Sequence, residues 1–229
     1  MPDSLLRRSL TKIAYYKRGV PWYGVVLRVS IDAVSKVGLR IEPFDLFLEG
    51  LDRGVAPPPP PSFENASISF LSSDDMAELA RMPGRSFSQN DLEARVRSGQ
   101  LCIGVRHQGR IIGFTWCNLS ECRIEKHRLF DLRADEASLF DAYAVEEYRG
   151  RDLAPWMRYR CYEEMAKLGR HRCYSVTIIF NTPAIRFKEK LGAEVIGKGL
   201  YLDLLARSQL HFGAARPERH RHREESERY

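Results

Sequence analysis

Between Ala142 and Ala193 the order of polar and apolar residues leaves few folds open. Ala142, Tyr143, Ala144 and Val145 form a short apolar run that suits the end of a buried strand. A basic turn follows, Tyr148-Arg149-Gly150-Arg151-Asp152-Leu153-Ala154. Leu153, Trp156, Met157, Cys161, Met165 and Leu168 then recur mostly at steps of three and four, one face of an amphipathic helix that Gly169 ends. Tyr174, Val176, Ile178 and Phe180 alternate with Cys173, Ser175, Thr177 and Ile179, so the next element is a strand of period two. After Asn181, Thr182 suits an N-cap and Pro183 the first helical position. Ala184, Ile185, Phe187 and Leu191 give a short helix its inner face, and Gly192 stops it.

The turn carries the first hint of chemistry. A helix N-terminus has unpaired backbone N–H groups and partial positive charge. With Arg149 and Arg151 beside it, this one suits a phosphate or pyrophosphate. Taken alone, the turn reads equally as an ordinary strand-to-helix connection with solvated arginines.

Strand, anion turn, helix, strand, Asn, short helix, Lys-Leu-Gly resembles the acetyl-CoA-binding half of the GNAT acetyltransferase superfamily. In that family the turn reads Q/R-x-x-G-x-G/A, matched here at Arg149 and Ala154. The later segment reads N-x-x-A-x-x-F-Y-x-K-x-G-F, matched at Asn181, Ala184, Phe187, Lys190 and Gly192. Three positions depart from it: Asp152 stands for a glycine, Lys188 for the tyrosine that often protonates the departing thiolate, and Ala193 for a phenylalanine. The resemblance covers roughly residues 66 to 205. It implies an α/β fold, a GNAT-type mixed central sheet flanked by helices, here with an N-terminal helical extension.

The resemblance also implies a reaction, transfer of an acetyl group from acetyl-CoA to an amine acceptor whose identity the sequence does not give. Arg149, Gly150, Arg151, Asp152, Leu153, Ala154 and Asn181 would hold the coenzyme A thioester, and the Val145 N–H would meet its carbonyl or pantetheine arm. An acidic residue on the strand before the turn often serves as base in the family. Asp141 is the first candidate, because it lies four residues before Val145 and shares its strand face. Glu136, further upstream and expected in a loop, is the second. Lys188 and Tyr143 are candidates to protonate the sulfur. The acceptor site would involve two early helices, capped by Ser73 and Ser88, which offer Arg81, Arg85, Gln89 and Asn90. Asp152 and Lys188 leave a second function open, a non-catalytic acyl-CoA-binding or interaction protein on the same fold.

The rest of the chain frames this domain. Residues 1–50 are expected to form an N-terminal module of two basic amphipathic helices and a strand, which Pro43 confines to a sheet edge. That module would pack on the catalytic domain or on a second copy of the chain in a homodimer, or meet a membrane surface. Residues 51–65 read as a linker, stiffened by Pro57 to Pro61. The acyltransferase domain spans 66–205, and residues 206–229 read as a charged, disordered tail. The formal charge of +6 fits an anionic partner. Nucleic acid is not expected, since no nucleic-acid motif accompanies the charge. Five cysteines without metal spacing read as reduced and buried in a cytoplasmic protein. Neither a secretory signal nor a membrane-crossing helix is expected from the sequence.

Overall fold

Period-two segments pair into one eight-stranded sheet, in the order β10-β9-β1-β8-β7-β4-β3-β2. The computed structural model describes residues 31, 38–63, 65–125, 127–204 and 208–213. The basic helices expected before residue 38 and the tail beyond 213 therefore lie outside the described residues. The strands are β1 Leu39–Glu49, β2 Ser67–Phe70, β3 Leu101–His107, β4 Arg110–Asn118, β5 Glu121–Ile124, β6 His127–Asp131, β7 Glu136–Ala144, β8 Arg172–Ile178, β9 Glu194–Leu204 and β10 Ser208–Gly213. The helices are α1 Met76–Ala80, α2 Gln89–Arg97, α3 Leu153–Lys167 and α4 Thr182–Lys190. All neighbours in the sheet are antiparallel except β7 and β8, which α3 joins in parallel. The expected mixed α/β sheet flanked by helices is thus present.

Local chemistry explains most boundaries. Gln108 and Gly109 both take positive φ, 51° and 78°, the two-residue turn that matches the twist of a hairpin. The Ser88 hydroxyl caps α2 by accepting from the Asp91 N–H at 3.1 Å. In α4 the cap is Asn181 rather than Thr182; its side chain accepts from the Ala184 N–H at 3.3 Å, which moves Pro183 to the second helical position.

Two expectations fail at the sheet's other half. β1 is not an edge strand: it lies between β8 and β9. Pro43 is tolerated there because β8 ends at Ile178, opposite Phe44. The Pro43 carbonyl, which accepts from the Ile179 N–H at 3.1 Å, faces that side, and so does the nitrogen that lacks a hydrogen. No ladder donor is lost. At the other terminus, Ser208–Gly213 is not disordered but forms β10, paired to β9 from Ser208↔Leu204 to Gly213↔Gly199.

Each sheet face has its own cover. On one face α1 and α2 close over Trp116, Phe114 and Ile111, while the β5–β6 hairpin covers Phe44, Leu46, Leu48 and Tyr174. On the other, α3 presses Cys161, Tyr162 and Met165 against Ile103, Leu139 and Cys173.

Candidate functional site

β7 and β8 pair only over Glu136–Ser138 against Arg172–Tyr174. Past that point they part, β7 remaining on β4 through Ala144 and β8 on β1 through Ile178. A slot through the sheet opens toward the C-terminal ends of both strands, beside the basic turn that starts α3.

A buried charge cluster lies on the α3–α4 face of this slot. The Lys188 ammonium donates to the Ser175 hydroxyl at 2.6 Å and to the Thr177 hydroxyl. Both are β8 residues just beyond the last β7–β8 pair. Glu49, at the end of β1, lies 3.7 Å from the Lys188 ammonium and 3.3 Å from Arg158 Nε on α3. It also accepts from the Tyr162 hydroxyl at 2.6 Å and from Ser175. Arg158 reaches across the slot to the Thr115 hydroxyl of β4, 3.2 Å away. Lys188, Glu49 and Arg158 are 2%, 1% and 3% exposed, so two cations and one anion are held away from water. Burial, reinforced by Arg158, pushes the Lys188 ammonium down to about 8 against the pull of Glu49. Burial also disfavours the Glu49 charge, but Arg158 and then Lys188 outweigh it and hold the carboxyl below its usual range.

The turn itself departs from expectation in two ways. Val145 donates its N–H to the Ile112 carbonyl of β4 at 2.9 Å, so that donor is spent within the sheet. Backbone groups of successive strand residues point to opposite sides, so the Ala144 N–H turns to the slot instead. The Ala144 carbonyl on that side accepts from Arg149 Nε at 3.0 Å. Asp152 does stand at the N-cap of α3, but with φ of +57° and no capping bond from its side chain. Its carboxylate accepts instead from Lys190 of α4 at 2.9 Å. A glycine adopts this left-handed backbone without steric cost. Gly150 is also left-handed, at φ +74°, while Leu153 is buried and anchors the helix start. The first-turn N–H groups of Leu153 and Ala154 have no helical acceptor, and Arg149 and Arg151 are exposed beside them. Asn181 is exposed at the head of α4.

Residues 55–61, expected as a spacer between domains, run along this turn. With Arg151, Asp152, Pro155 and Lys190 the prolines enclose a groove of ≈ 670 Å³. The segment is docked at its start: the Arg53 carbonyl occupies the place a Cβ on Gly192 would need, and the Leu191 carbonyl crowds Gly54 likewise. Gly192 is therefore a contact point as well as a helix stop.

On the opposite face, Asp141 sits in a β-bulge. Asp141 and Ala142 together oppose Thr115, and Asp141 takes φ +50°. Its carboxylate accepts from Arg95 Nη1 at 2.8 Å and from Arg85. Tyr143 donates to the Pro83 carbonyl, which pins the loop carrying Arg85. Glu136 is not in a loop but is the first residue of β7, 1% exposed, at the far end of the strand from the turn. Its carboxylate accepts from the Arg133 N–H at 2.8 Å and the Tyr174 hydroxyl at 3.3 Å, which closes the turn into β7.

The sequence therefore named the turn, Asp141 and Lys188 but missed Glu49, Arg158, Arg95 and the Ala144 N–H. Arg158 carried a faint signal, since it falls three before Cys161 and four before Tyr162 within the buried stripe of α3. The arrangement can bind an anion at the mouth of a slot and deliver a proton from a buried ammonium inside it. Among the described residues no group of three metal-ligating side chains occurs, and no helix is long and apolar enough to cross a membrane.

Comparison with known proteins agrees with this geometry. A model of the acetyltransferase (GNAT) family matches residues 68–193, more than half of the chain. No curated protein matches the sequence. Among solved structures, a Drosophila protein superposes with a TM-score of 0.54 at 16% identity, over 81% of this chain and 59% of the other. A tandem GNAT protein from the clavulanic acid biosynthesis pathway gives 0.52 at 14% identity, over 73% and 55%. An acetyltransferase of the GNAT family from Colwellia psychrerythraea gives 0.52 at 12%, over 72% and 57%. The chain thus spans less than two thirds of each of these proteins, and the likeness is one of fold.

Proposed function

The chain belongs to the acetyltransferase (GNAT) family, and from that premise we propose that it moves an acetyl group from acetyl-CoA to an amine. The observation that carries this reading is the parting of β7 and β8 with the Lys188 ammonium bonded to Ser175 and Thr177 at its head. The donor set at the mouth fits a coenzyme A thioester. The first-turn N–H groups of α3, Arg149 and Arg151 would hold its pyrophosphate. The proline-walled groove beside them has room for the nucleotide end, and the Ala144 N–H would hold the arm within the slot.

The thioester supplies an acyl carbon open to attack. The amine loses a proton to solvent, its nitrogen forms a bond to that carbon, and the carbon–sulfur bond breaks. Lys188 gives the departing sulfur a proton and regains one from solvent. The buried cluster carries one net positive charge, which favours negative charge developing on the acyl oxygen and sulfur nearby. Asp141 acts by positioning: both its oxygens hold guanidiniums that face the acceptor side of the slot.

Release of free CoA thiol from acetyl-CoA, measured over a broad amine panel, tests the reading. Amine-dependent release is the expected result. Binding of acetyl-CoA without release for any amine would leave a non-catalytic acyl-CoA-binding protein in its place.

A further inference from the structure

Arg85 and Arg95 converge on one carboxylate, and the ledger of charge there does not close. Each guanidinium has five N–H donors, and each gives a hydrogen bond to Asp141. A third guanidinium, Arg149, lies 5.2 Å from the Tyr143 ring, against which Arg85 also stands at 5.3 Å. Two cations therefore share a single anion, and a third stands against the neighbouring ring. The walls are aromatic: Arg85 lies 4.3 Å from the Phe87 ring centre, and Arg95 lies 5.2 Å from both Phe87 and Trp116 and 5.7 Å from Phe140. Such contacts fix the planes of the guanidiniums and exclude water from one side of each. Beside them the buried Trp116 indole N–H has no acceptor, a donor left unmet at a cost of about 1–3 kcal/mol. Yet the two arginine side chains remain 27% and 29% exposed, more than the 16% of Asp141. They are rigid, cationic and reachable, on the face to which the slot leads from the basic turn.

We propose that the acceptor amine carries an anionic group of its own, a carboxylate or a phosphate, and that this group docks on Arg85 and Arg95. The inference rests on the transferase reading above and narrows its substrate class. The guanidinium fork matches either oxyanion by paired N–H donors. Docking there would set the amine back along β7, toward the Ala144 N–H and the acyl group held in the slot.

The test is thiol release with matched amine pairs at saturating acetyl-CoA. γ-Aminobutyrate is set against butylamine, O-phosphoethanolamine against ethanolamine, and dipeptides with a free C-terminus against their amides. The expected result is a kcat/KM roughly tenfold or more higher for the anionic member of at least one pair, and the pair that responds tells carboxylate from phosphate. In Arg95→Gln that preference should fall at least about fivefold, through KM for the anionic amine; Arg85→Gln serves if the first variant does not fold. Equal or better turnover of the neutral members in the unaltered protein would overturn the inference while leaving the transferase intact. Bound acetyl-CoA with no release for any amine would remove the transferase reading, and the inference with it.

Discussion

Lys188 Nζ stands 3.7 Å from Glu49 Oε1, and both side chains are buried. Burial wins over this attraction and brings the ammonium down to about 8, against about 10.4 in an unfolded chain. If Lys188 donates the proton to sulfur, kcat should hold below pH 8 and fall as pH rises through it. In Lys188→Met that falling limb should vanish and kcat should be lower throughout, whereas a packing role alone would leave the shape of the profile unchanged. Stability carries the same signature. Between about pH 8 and 10.4 the unfolded chain binds the extra proton, so unfolding becomes harder as pH rises across that window. Burial pushes the thiols of Cys102, Cys122 and Cys173 up, and the Cys161 contact together with burial does the same to Cys117. These thiols favour unfolding over the same window, so the Lys188 signature is a difference. From pH 7.5 to 9.5 the melting point of Lys188→Met should fall further, or rise less, than that of the unaltered protein.

Glu49 balances two buried cations, so its loss should cost far more than one hydrogen bond. Glu49→Gln leaves Arg158 and Lys188 uncompensated, and removing one member of a buried pair costs about 3–5 kcal/mol. Urea unfolding should show a destabilisation of that order. Adding Lys188→Met should recover part of it, since one orphaned charge then disappears. The carboxyl is held below its usual range, so its contribution is present above its unfolded value and fades on acidification. A midpoint for Glu49→Gln unchanged from the unaltered protein at pH 7 would mean that the cluster adds nothing to stability.

Asp141 can be tested without disturbing its backbone, because asparagine also tolerates the φ of +50° found there. As a positioning residue, Asp141 holds Arg85 and Arg95 in place. Asp141→Asn should then raise the acceptor KM roughly tenfold, with kcat within about threefold and its pH profile unchanged. A proton acceptor would behave otherwise: kcat would fall about 10²-fold or more with little change in KM.

The half of the fold from Ala142 to Ala193 was legible because its contacts are local. Apolar period, the glycine stops and the basic turn lie within a few residues of one another. Asp141 and Lys188 were legible by their place in that order. Glu49 was not, because its partners Arg158 and Lys188 lie more than a hundred residues away and only the insertion of β1 between β8 and β9 brings them together. Pro43 argued against that insertion, since nothing in the sequence tells that β8 stops one residue short of it. The bulge at Asp141 was hidden for a related reason: it exists only in the register of β7 on β4. The start of α3 was hidden likewise, because the left-handed backbone of Asp152 shows only in the fold and its bond to Lys190 depends on α4.

That last point reverses one expectation about the turn. A carboxylate at an N-cap usually stabilises its helix, so replacing Asp152 by glycine would be expected to cost a few tenths of a kcal/mol. Here the side chain makes no cap bond, and the residue stands at φ +57°, a region that costs most side-chain-bearing residues about 1–2 kcal/mol and glycine nothing. Its pairing with Lys190 is exposed on both sides, so screening by water leaves it worth little. Asp152→Gly should therefore raise stability by about 0.5–1 kcal/mol, read as a higher urea midpoint at unchanged slope. It should also free Lys190 and remove a negative charge beside the anion-binding turn, so acetyl-CoA should bind more tightly by titration calorimetry, while Arg149→Ala binds it more weakly. If Asp152→Gly binds acetyl-CoA more weakly than the unaltered protein, the carboxylate and Lys190 are organising the loop for the cofactor, and charge repulsion is not what governs the turn.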